Sequence, residues 1–317
     1  MIKKSDKIYI AGHRGMVGSA CWRALQAEGY TNLVGKTSKE LDLCDQMAVE
    51  EIIRTESPVA IIDAAAKVGG ILANDTYPYE FLMDNMLIQN NLIRSAHEND
   101  VPKFIFLGSS CIYPKFAPQP LKEEYLLTDS LEPTNEWYAI AKISGVKLIE
   151  ALRKEYLRDY VALMPTNLYG PNDNFDLKSS HVLPAMIRKF HEAKLKSHSR
   201  VELWGTGSPM REFLHVDDLG QAVLFALENK LDEHLYNVGT GVDLTIKDLA
   251  EQIQSTVGHQ GEIVWDSTKP DGTPRKLMDN SKLEAHGWSS LIELKDGIES
   301  TYHWFKDTDS KIREVQV

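Results

Sequence analysis

The stretch Ile8-Tyr9-Ile10-Ala11-Gly12-His13-Arg14-Gly15-Met16-Val17-Gly18 decides the fold. It begins with an apolar run typical of a buried strand and then places three evenly spaced glycines in front of a helical pattern. In such a turn the first glycine permits the tight turn, the second lets the backbone approach a pyrophosphate, and the third allows close packing of helix on strand. The helix N-terminus adds N–H groups and the positive end of a dipole. The sequence therefore predicts a dinucleotide-binding turn formed by Gly12, Arg14, Gly15, Met16, Val17 and Gly18.

Strand-like and helix-like segments alternate through the first half of the chain. The predicted strands lie near residues 8–11, 33–34, 59–62, 104–107 and 161–164. The predicted helices lie near residues 15–28, 46–55, 78–98 and 137–156. Alternation of this kind is typical of an α/β protein with a doubly wound parallel sheet, so we expect a Rossmann-like fold.

The pattern changes after Pro171. Residues 172–180 are polar and indicate an exit from the sheet, and helices are predicted near 182–193, 219–228, 246–257 and 294–305. We expect residues 1–171 to form a nucleotide-binding domain, to which residues of about 215–242 return. Residues 172–214 and 243–317 are expected to form a smaller C-terminal α/β domain that binds the substrate.

The end of the second predicted strand indicates the type of dinucleotide. An NAD site usually places an acidic residue there, about 20 residues beyond the glycines, whereas NADP sites offer cations. Here the residues are Gly35-Lys36-Thr37-Ser38-Lys39, and no carboxylate comes before Glu40. With Arg14 nearby, these cations favour NADP(H), and Asp42 and Leu43 are predicted to lie beside the adenine. The alternative for Lys36 and Lys39 is that they are ordinary surface lysines.

Tyr138 and Lys142 are four residues apart on a predicted helix and therefore share one face. The reference pKa of tyrosine is near 10, and an ammonium one turn away favours the phenolate. Ser109 follows the predicted strand 104–107 and so lies at the carboxyl edge of the sheet, where ligands bind in such folds. The three residues are candidates for acid–base chemistry on a carbonyl, although Ser109 and Ser110 are also suited to capping the turn.

Composition narrows the class of protein. The formal charge of −11 argues against a broad nucleic-acid or membrane surface but leaves room for a local anion pocket. Cys21, Cys44 and Cys111 show no Cys-x-x-Cys spacing, so we expect reduced thiols without a disulfide framework or a metal site. No apolar run approaches the roughly 18 residues needed to cross a bilayer. A soluble, cytoplasmic protein is expected.

Longer strings carry a more specific signal. They are residues 64–70 (AAAKVGG), 108–114 (GSSCIYP), 165–171 (PTNLYGP), 209–218 (PMREFLHVDD) and 269–276 (KPDGTPRK). Together with the glycine loop, whose G-x-x-G-x-x-G spacing looks like that of extended short-chain dehydrogenases/reductases, they resemble the GDP-L-fucose synthases over nearly the whole chain.

The resemblance implies a two-part reaction on GDP-4-keto-6-deoxy-D-mannose. C3 and C5 of the sugar are epimerised, and NADPH then reduces the C4 ketone to give GDP-L-fucose. By resemblance Cys111 is the base and His181 the acid of the epimerisation, and Tyr138 donates a proton during reduction, assisted by Ser109 and Lys142. Without the resemblance, Cys111 would be interpreted as a small buried hydrophobe and His181 as an ordinary residue at a helix start.

The resemblance also implies two sets of binding residues and an assembly. Further cofactor-binding residues are expected at Ala64, Ala65, Lys142, Pro165, Asn167, Leu168 and His181. The expected substrate-binding residues are Ser109, Cys111, Asn167, Lys189, Trp204, Arg211, Asp271 and Lys276. Some family members carry arginine where Lys36 and Lys189 stand, and lysine keeps the charge but lacks the bidentate fork. Family members dimerise through two long helices, so a homodimer with a four-helix bundle is expected from residues 78–98 and 137–156.

Three other functions are weighed against this one. Nucleotide-sugar dehydratases carry an Asp-Glu pair where Ser110 and Cys111 stand, so dehydration is disfavoured. A nucleotide-sugar 4-epimerase or another ketoreductase would share the glycine loop and the Tyr–Lys pair, but a simple 4-epimerase needs no counterpart of Cys111 and His181. A non-catalytic NADP-sensing protein would have no need for Ser109, Tyr138 and Lys142 together.

Overall fold

The computed structural model of the protein describes residues 2–269 and 271–308. Numbered along the chain, its strands are β1 (Ile8–Ala11), β2 (Leu33–Val34), β3 (Ala60–Asp63), β4 (Lys103–Leu107), β5 (Asp159–Pro165), β6 (Asn167–Tyr169), β7 (Arg200–Trp204), β8 (Met210–His215), β9 (Leu235–Val238), β10 (Asp243–Thr245), β11 (Glu262–Asp266) and β12 (Arg275–Lys276). Its α-helices are α1 (Met16–Ala27), α2 (Gln46–Glu56), α3 (Ile71–Thr76), α4 (Pro78–Glu98), α5 (Glu136–Tyr156), α6 (Val182–Leu195), α7 (Val216–Glu228), α8 (Ile246–Val257), α9 (Ser281–Ala285) and α10 (Leu294–Thr308).

Six parallel strands form the central sheet, in the order β2-β1-β3-β4-β5-β9. Residues 60–63 pair with both 8–11 and 103–106, so the strands are in register through the middle of the sheet. The strand order reverses between β1 and β3, and ligands bind at the carboxyl ends of the strands at such a point. The predicted α/β class with a doubly wound parallel sheet is confirmed.

Helices cover both faces of this sheet. On one face α1 and α7 contribute buried side chains such as Leu25 and Val223, and they approach closely because Gly220 lies against the backbone of Ala20. On the other face α2, α4 and α5 contribute Ile53, Leu92 and Val146 among others. Because the strands are buried on both faces, their sequences are continuous apolar runs. This explains the character of the predicted strand segments.

A smaller group of elements packs beside the carboxyl edge of the sheet. β8 is its central strand, pairing with β6, β10 and β12, while β7 and β11 form a separate parallel pair. Helices α6, α8 and α10 pack on these strands around a core of their own that includes Phe190, Ile253 and Phe305. The cleft between this group and the sheet positions the site described below.

The course of the chain between the two groups differs from the predicted boundaries in two places. β9 lies beside β5 and α7 beside α1, so both elements pack on the central sheet. However, β6 lies inside the predicted range 1–171 but pairs with β8. Met278, Leu283 and Trp288 lie inside the predicted range 243–317 but pack into the cores of the central sheet. The last residues of that range, 309–317, lie outside the described residues.

None of the helices in the described ranges is both long enough and apolar enough to cross a membrane.

Candidate active site

The glycine loop packs directly against the neighbouring strand end. Gly12 follows β1 with φ of 73°, in the left-handed region that favours glycine. A Cβ atom at Gly12 would lie 2.7 Å from the carbonyl oxygen of Ala64, and one at Gly18 would overlap the carbonyl of Gly12. Within the described chain no side chain caps the N-terminus of α1, and its first turn has no acidic residue. Its N–H groups are therefore available to an anion.

Cations from two elements meet near the end of β2. The N–H and hydroxyl of Thr37 donate hydrogen bonds of 2.8 and 2.7 Å to the carboxylate of Glu40. These bonds, and after them the charges of Lys36 and Arg14, hold the pKa of Glu40 below its usual value. The glycine loop and the end of β2 thus bring Arg14 and Lys36 to one place. The sequence did not indicate that both charges would act on Glu40.

The other predicted residues of the nucleotide side lie along the same edge. Ser38 and Lys39 are exposed in the turn after Lys36. The carboxylate of Asp42 accepts the N–H of Cys44 at 2.9 Å, and the carbonyl of Leu43 accepts a 2.9 Å bond from Asn91 on α4. Further along the edge lie the residues that follow β3 and end or follow β5, namely Ala64, Ala65, Pro165, Asn167 and Leu168. We call the edge formed by residues 12–18, 36–43 and 64–65 the cofactor wall.

Ser109 and Cys111 lie at the carboxyl end of β4. The residues Ser110–Ile112 form a short 3-10 turn, and the hydroxyl of Ser109 accepts the N–H of Cys111 at 3.4 Å. Cys111 is 7% exposed, and burial is the main reason why the pKa of its thiol is raised. The charge of Lys276 is the largest opposing influence, followed by a hydrogen bond with Ser109 and the charge of Lys142. Two lysines therefore favour the thiolate form of a thiol whose surroundings disfavour it.

Tyr138 and Lys142 lie one turn apart on α5, as predicted. The ammonium of Lys142 donates a 2.9 Å hydrogen bond to the carbonyl of Leu107 and lies 5.8 Å from the centre of the Tyr138 ring. We expected Lys142 to lower the pKa of Tyr138. Instead burial raises that pKa strongly, and the charges of Cys111 and Asp63 raise it further. Tyr138 is thus a phenol that holds its proton, because desolvation is the dominant influence on its pKa.

His181 immediately precedes α6 and is the N-cap residue of that helix. Its side chain is accessible to solvent, yet the surrounding protein lowers its pKa by desolvation, which favours the neutral ring. The loop that carries it is tied to the segment after β3, because the N–H of Gly70 donates to the carbonyl of Ser179 at 3.2 Å. In the described ranges no hydrogen bond or ion pair joins His181 to Cys111.

Three predicted substrate-binding residues come together on β8 and β12. Arg211 and Lys276 are register partners on these neighbouring parallel strands, so their side chains share one face. Asp271 influences the pKa of Arg211 and accepts hydrogen bonds of 2.9 and 2.7 Å from the N–H and hydroxyl of Thr206. Burial lowers the pKa of both Arg211 and Lys276. We call residues 210–212, 271 and 275–276 the substrate wall.

Three other predicted residues lie outside the contact group of Arg211, Asp271 and Lys276. The amide of Asn167 donates a 2.8 Å bond to the backbone carbonyl of Glu212, a residue of the substrate wall. Lys189 on α6 donates a 3.0 Å bond to the carbonyl of Glu202 on β7. Trp204 is 65% exposed, and the ammonium of Lys269 lies 5.5 Å above its ring. The structure therefore gathers Arg211, Asp271 and Lys276, but not these three, into one contact group.

Two buried carboxylates of this region were not predicted. Glu212, which is fully buried, accepts backbone N–H groups of Thr240, Gly241 and Met278 at 2.6, 2.7 and 2.9 Å and so fixes the substrate wall to the rest of the protein. Asp63 ends β3 and is also fully buried. The signal for Asp63 was available, since an acidic residue directly follows a run of apolar strand residues. No local pattern indicated a role for Glu212, because its hydrogen-bond partners lie far along the chain.

Comparison with known proteins agrees with this geometry. Residues 8–239 match the NAD dependent epimerase/dehydratase family. GDP-L-fucose synthase 1 of Arabidopsis thaliana is 58% identical over 305 residues, which cover 96% of this chain and 94% of that protein. GDP-L-fucose synthase of Escherichia coli (strain K12) is 51% identical over 318 residues, covering 97% of this chain and 99% of that protein.

The chain belongs to the GDP-L-fucose synthase family. A solved structure agrees with this assignment. The GDP-L-fucose synthetase from Naegleria fowleri bound to NADP superposes with a TM-score of 0.92 at 26% identity, over 99% of this chain and 96% of that one. As a member of the GDP-L-fucose synthase family the chain is an enzyme of the epimerase/reductase type.

Proposed function

We propose that the protein converts GDP-4-keto-6-deoxy-D-mannose into GDP-L-fucose, by epimerisation at C3 and C5 followed by NADPH-dependent reduction at C4. One observation carries the proposal. Ser109, Cys111, Tyr138 and Lys142 meet at the carboxyl edge of the sheet, with Lys276 of the substrate wall facing Cys111. A thiol for proton abstraction and a phenol for proton donation thus lie at one site, which is what the two-part reaction needs.

The cofactor wall fits NADPH. The uncapped N-terminus of α1 suits the diphosphate, and Arg14 and Lys36 together suit the 2′-phosphate. Gly12 and Ala64 keep the loop and the neighbouring strand end close, because a side chain at Gly12 would collide with the backbone there. When bound, NADPH supplies the hydride that reaches C4 of the sugar. We assign the remaining contacts with NADPH to the other residues predicted to bind the cofactor. These are Ser38, Lys39, Asp42, Leu43, Ala65, Lys142, Pro165, Asn167, Leu168 and His181.

The epimerisation uses the acidity that the C4 ketone gives to the protons on C3 and C5. Cys111 as thiolate takes the proton from one ring face, and His181 returns a proton from the opposite face. The charges of Lys276 and Lys142 favour the thiolate. The lowered pKa of His181 reduces the fraction of protonated rings, but it makes each imidazolium a stronger acid toward the sugar. A bound sugar between the two residues would account for the lack of a direct contact between them.

The reduction places a negative charge on the C4 oxygen. Tyr138 donates its proton to that oxygen, and the hydroxyl of Ser109 stabilises it with a hydrogen bond. Because burial raises the pKa of Tyr138, the phenol is protonated at neutral pH and ready to donate. Lys142, anchored by the carbonyl of Leu107, holds a positive charge beside the reacting atoms.

The GDP part of the substrate is assigned to the substrate wall and its surroundings. Arg211 and Lys276 are side by side and suit the diphosphate, while Asp271 orients Arg211 by its charge. Asn167, Lys189 and Trp204 complete the predicted set, with Trp204 stacking on the base or sugar once the Lys269 side chain has moved aside.

We further propose that the protein is a cytoplasmic homodimer. Helices α4 and α5 pack on one another, since Gln89 donates a 2.6 Å bond to the carbonyl of Ala141. Their outer faces expose apolar side chains, among them Leu87 and Ile140 at 37% and 41%. Pairing of these faces across a two-fold axis would cover them in a four-helix bundle. Light scattering should give twice the mass of the chain, and the variant Leu87→Glu should give the mass of a single chain.

The activity is tested by supplying the purified protein with NADPH and GDP-4-keto-6-deoxy-D-mannose and analysing the sugar by NMR. We expect one NADPH to be oxidised for each fuco-configured product formed. NADPH oxidation with a product that keeps its configuration at C3 and C5 would indicate a simple ketosugar reductase. Binding of NADPH without any turnover would indicate a sensing protein, and either result would contradict the proposal.

A further inference from the structure

Asp63 is a buried carboxylate with an unsatisfied oxygen beside the reacting residues. It is the last residue of β3, at the carboxyl edge where the site lies, and its exposed fraction is 0%. One carboxylate oxygen accepts the N–H of Ala65 at 3.2 Å. The other has no hydrogen-bond partner among the described residues. A buried carboxylate is costly unless a charge or several donors compensate it, so a compensating group is required close by.

The ammonium of Lys142 is the cation whose charge acts on this carboxylate. Asp63 and Phe106 are register partners on β3 and β4, so their side chains lie side by side on the face that α5 covers. Lys142 Nζ lies 4.7 Å above the centre of the Phe106 ring. Adjacent strands are about 4.8 Å apart, so this register places the Asp63 carboxylate on the same face of the sheet and near the ammonium, and no direct ion pair joins the two side chains in the described ranges. Lys142 is itself 2% exposed and donates to only one protein acceptor in the described ranges, the carbonyl of Leu107.

The negative charge of Asp63 and the positive charge of Lys142 each favour the charged form of the other group. Burial raises the pKa of Asp63 to about 6, and the charge of Lys142 opposes that rise. Burial lowers the pKa of Lys142, and Asp63 is the largest influence that opposes this decrease. Tyr9 on β1 and Tyr138 on α5 also face Asp63, and its charge raises the pKa of both phenols. Tyr9 is not a hydrogen-bond partner, since its hydroxyl is unsatisfied too.

We propose that Asp63 is the counter-ion of Lys142 and a positioning residue for the reduction, keeping the lysine charged and the Tyr138 phenol protonated beside the C4 oxygen. The role in reduction rests on the proposed function, whereas the pairing of Asp63 with Lys142 does not. Removing the carboxylate lowers the pKa of Lys142 and that of Tyr138. Each group then loses its proton at a lower pH. We therefore expect the decrease of reductase activity on the alkaline side to begin at a lower pH.

The pairing is tested without substrate by infrared titration of the protonated carboxyl band, identified as the band that Asp63→Leu lacks. In the otherwise native protein we expect this band to titrate near pH 6. In Lys142→Met it should titrate at least roughly one unit higher, since an opposite charge at close range lowers a carboxyl pKa by about 1–3 units. Equal midpoints in the two proteins would overturn the pairing. Leucine is chosen because replacing a buried charge by an apolar residue of similar volume is often tolerated.

The role in reduction is tested by the pH dependence of NADPH oxidation with the ketosugar. Asp63→Leu and Asp63→Asn should shift the alkaline limb of kcat to lower pH by roughly one unit and leave hydrogen exchange at C3 and C5 in place. Tyr9→Phe is the matched control, because it removes a neighbouring buried polar oxygen without removing a charge. The alkaline limb of kcat in this variant should stay at the native pH. A folded Asp63 variant with an unshifted limb would overturn the role. If the native protein shows no turnover at all, the proposed function fails, and the infrared titration still decides the pairing.

Discussion

The cofactor wall and the substrate wall of the cleft are held together in different ways. The glycine loop of the cofactor wall is formed by backbone groups of consecutive residues, with Gly12 and Gly18 allowing close approach of the backbone. The substrate wall is formed by charged side chains on β8 and β12, which are fixed by hydrogen bonds to residues far along the chain, as at Glu212. Local sequence therefore specifies the glycine loop, whereas the tertiary fold specifies the substrate wall. Substitutions in one wall should therefore affect the binding of one ligand and leave the binding of the other unchanged.

The largest effect is expected between the walls, at Tyr138. Tyr138→Phe removes the proton donor for the C4 oxygen and should lower the rate of NADPH oxidation by roughly 10²–10⁴. Binding of NADPH, measured by fluorescence, should stay within about twofold. Tyr156→Phe is the control, since Tyr156 ends the same helix at an exposed position. A Tyr138→Phe variant that keeps more than a tenth of the native rate would contradict its assigned role.

A large effect confined to the substrate wall is expected for Glu212→Ala. The change leaves the buried N–H groups of Thr240, Gly241 and Met278 without their acceptor. We expect the free energy of unfolding to fall by roughly 2–4 kcal/mol. KM for the GDP-sugar should rise while the Kd for NADPH does not. Glu262→Ala, at an exposed carboxylate, should change neither value. An equal loss of NADPH affinity would mean that the walls are not independent.

The matching change in the cofactor wall is Gly12→Ala. Both a positive φ and a collision with the Ala64 carbonyl oppose it, so we expect a loss of about 2–4 kcal/mol of stability and weaker NADPH binding. Gly29→Ala separates the two causes, because Gly29 has φ of 92° but nothing within 4 Å of an added Cβ. It should cost only about 1–2 kcal/mol. If the two variants lose the same stability, close approach to β3 is not what Gly12 provides.

A smaller effect should appear in the pH dependence of hydrogen exchange at C3 and C5. Lys276 opposes the rise that burial causes in the pKa of Cys111. The exchange rate should increase with pH as the thiolate forms, and Lys276→Met should move this increase to higher pH by roughly one unit. Lys269→Met, at an exposed lysine, is the control. A shift to lower pH, or none, would show that Lys276 does not act on the thiol.

The smallest effect is expected at Lys36. Lys36→Ala removes one of two cations near the proposed 2′-phosphate site, and the partner Arg14 remains. We expect the preference for NADPH over NADH, measured as the ratio of kcat/KM values, to fall by roughly fivefold. The loss should be smaller at high ionic strength, because salt screens a half-exposed charge. The exposed Lys230→Ala should have no effect.

The sequence predicted most of the cofactor wall, but for the substrate wall it predicted only the types of residue. The glycine loop, the helix that follows it and the four-residue spacing of Tyr138 and Lys142 depend on short-range geometry, and the structure has them at the predicted places. The pairing of β6 with β8 and the packing of Met278 and Trp288 on the central sheet depend on contacts across more than forty residues. No local pattern specifies such contacts.

Electrostatics was the least predictable property of the site. The four-residue spacing suggested that Lys142 would lower the pKa of Tyr138, but burial dominates and raises it. The sequence gives the identity of a charged group and not its depth, and depth sets the desolvation that moves a pKa. The pairing proposed for Asp63 depends on depth in the same way, since an exposed aspartate would need no counter-ion.

Deuterium incorporation from heavy water, measured by NMR at C3 and C5 of the ketosugar without NADPH, tests the central claim that one cleft holds two separable acid–base sets. We predict that the native protein and Tyr138→Phe incorporate deuterium at both carbons, and that Cys111→Ser incorporates almost none. Loss of exchange in Tyr138→Phe, or full exchange in Cys111→Ser, would contradict the account.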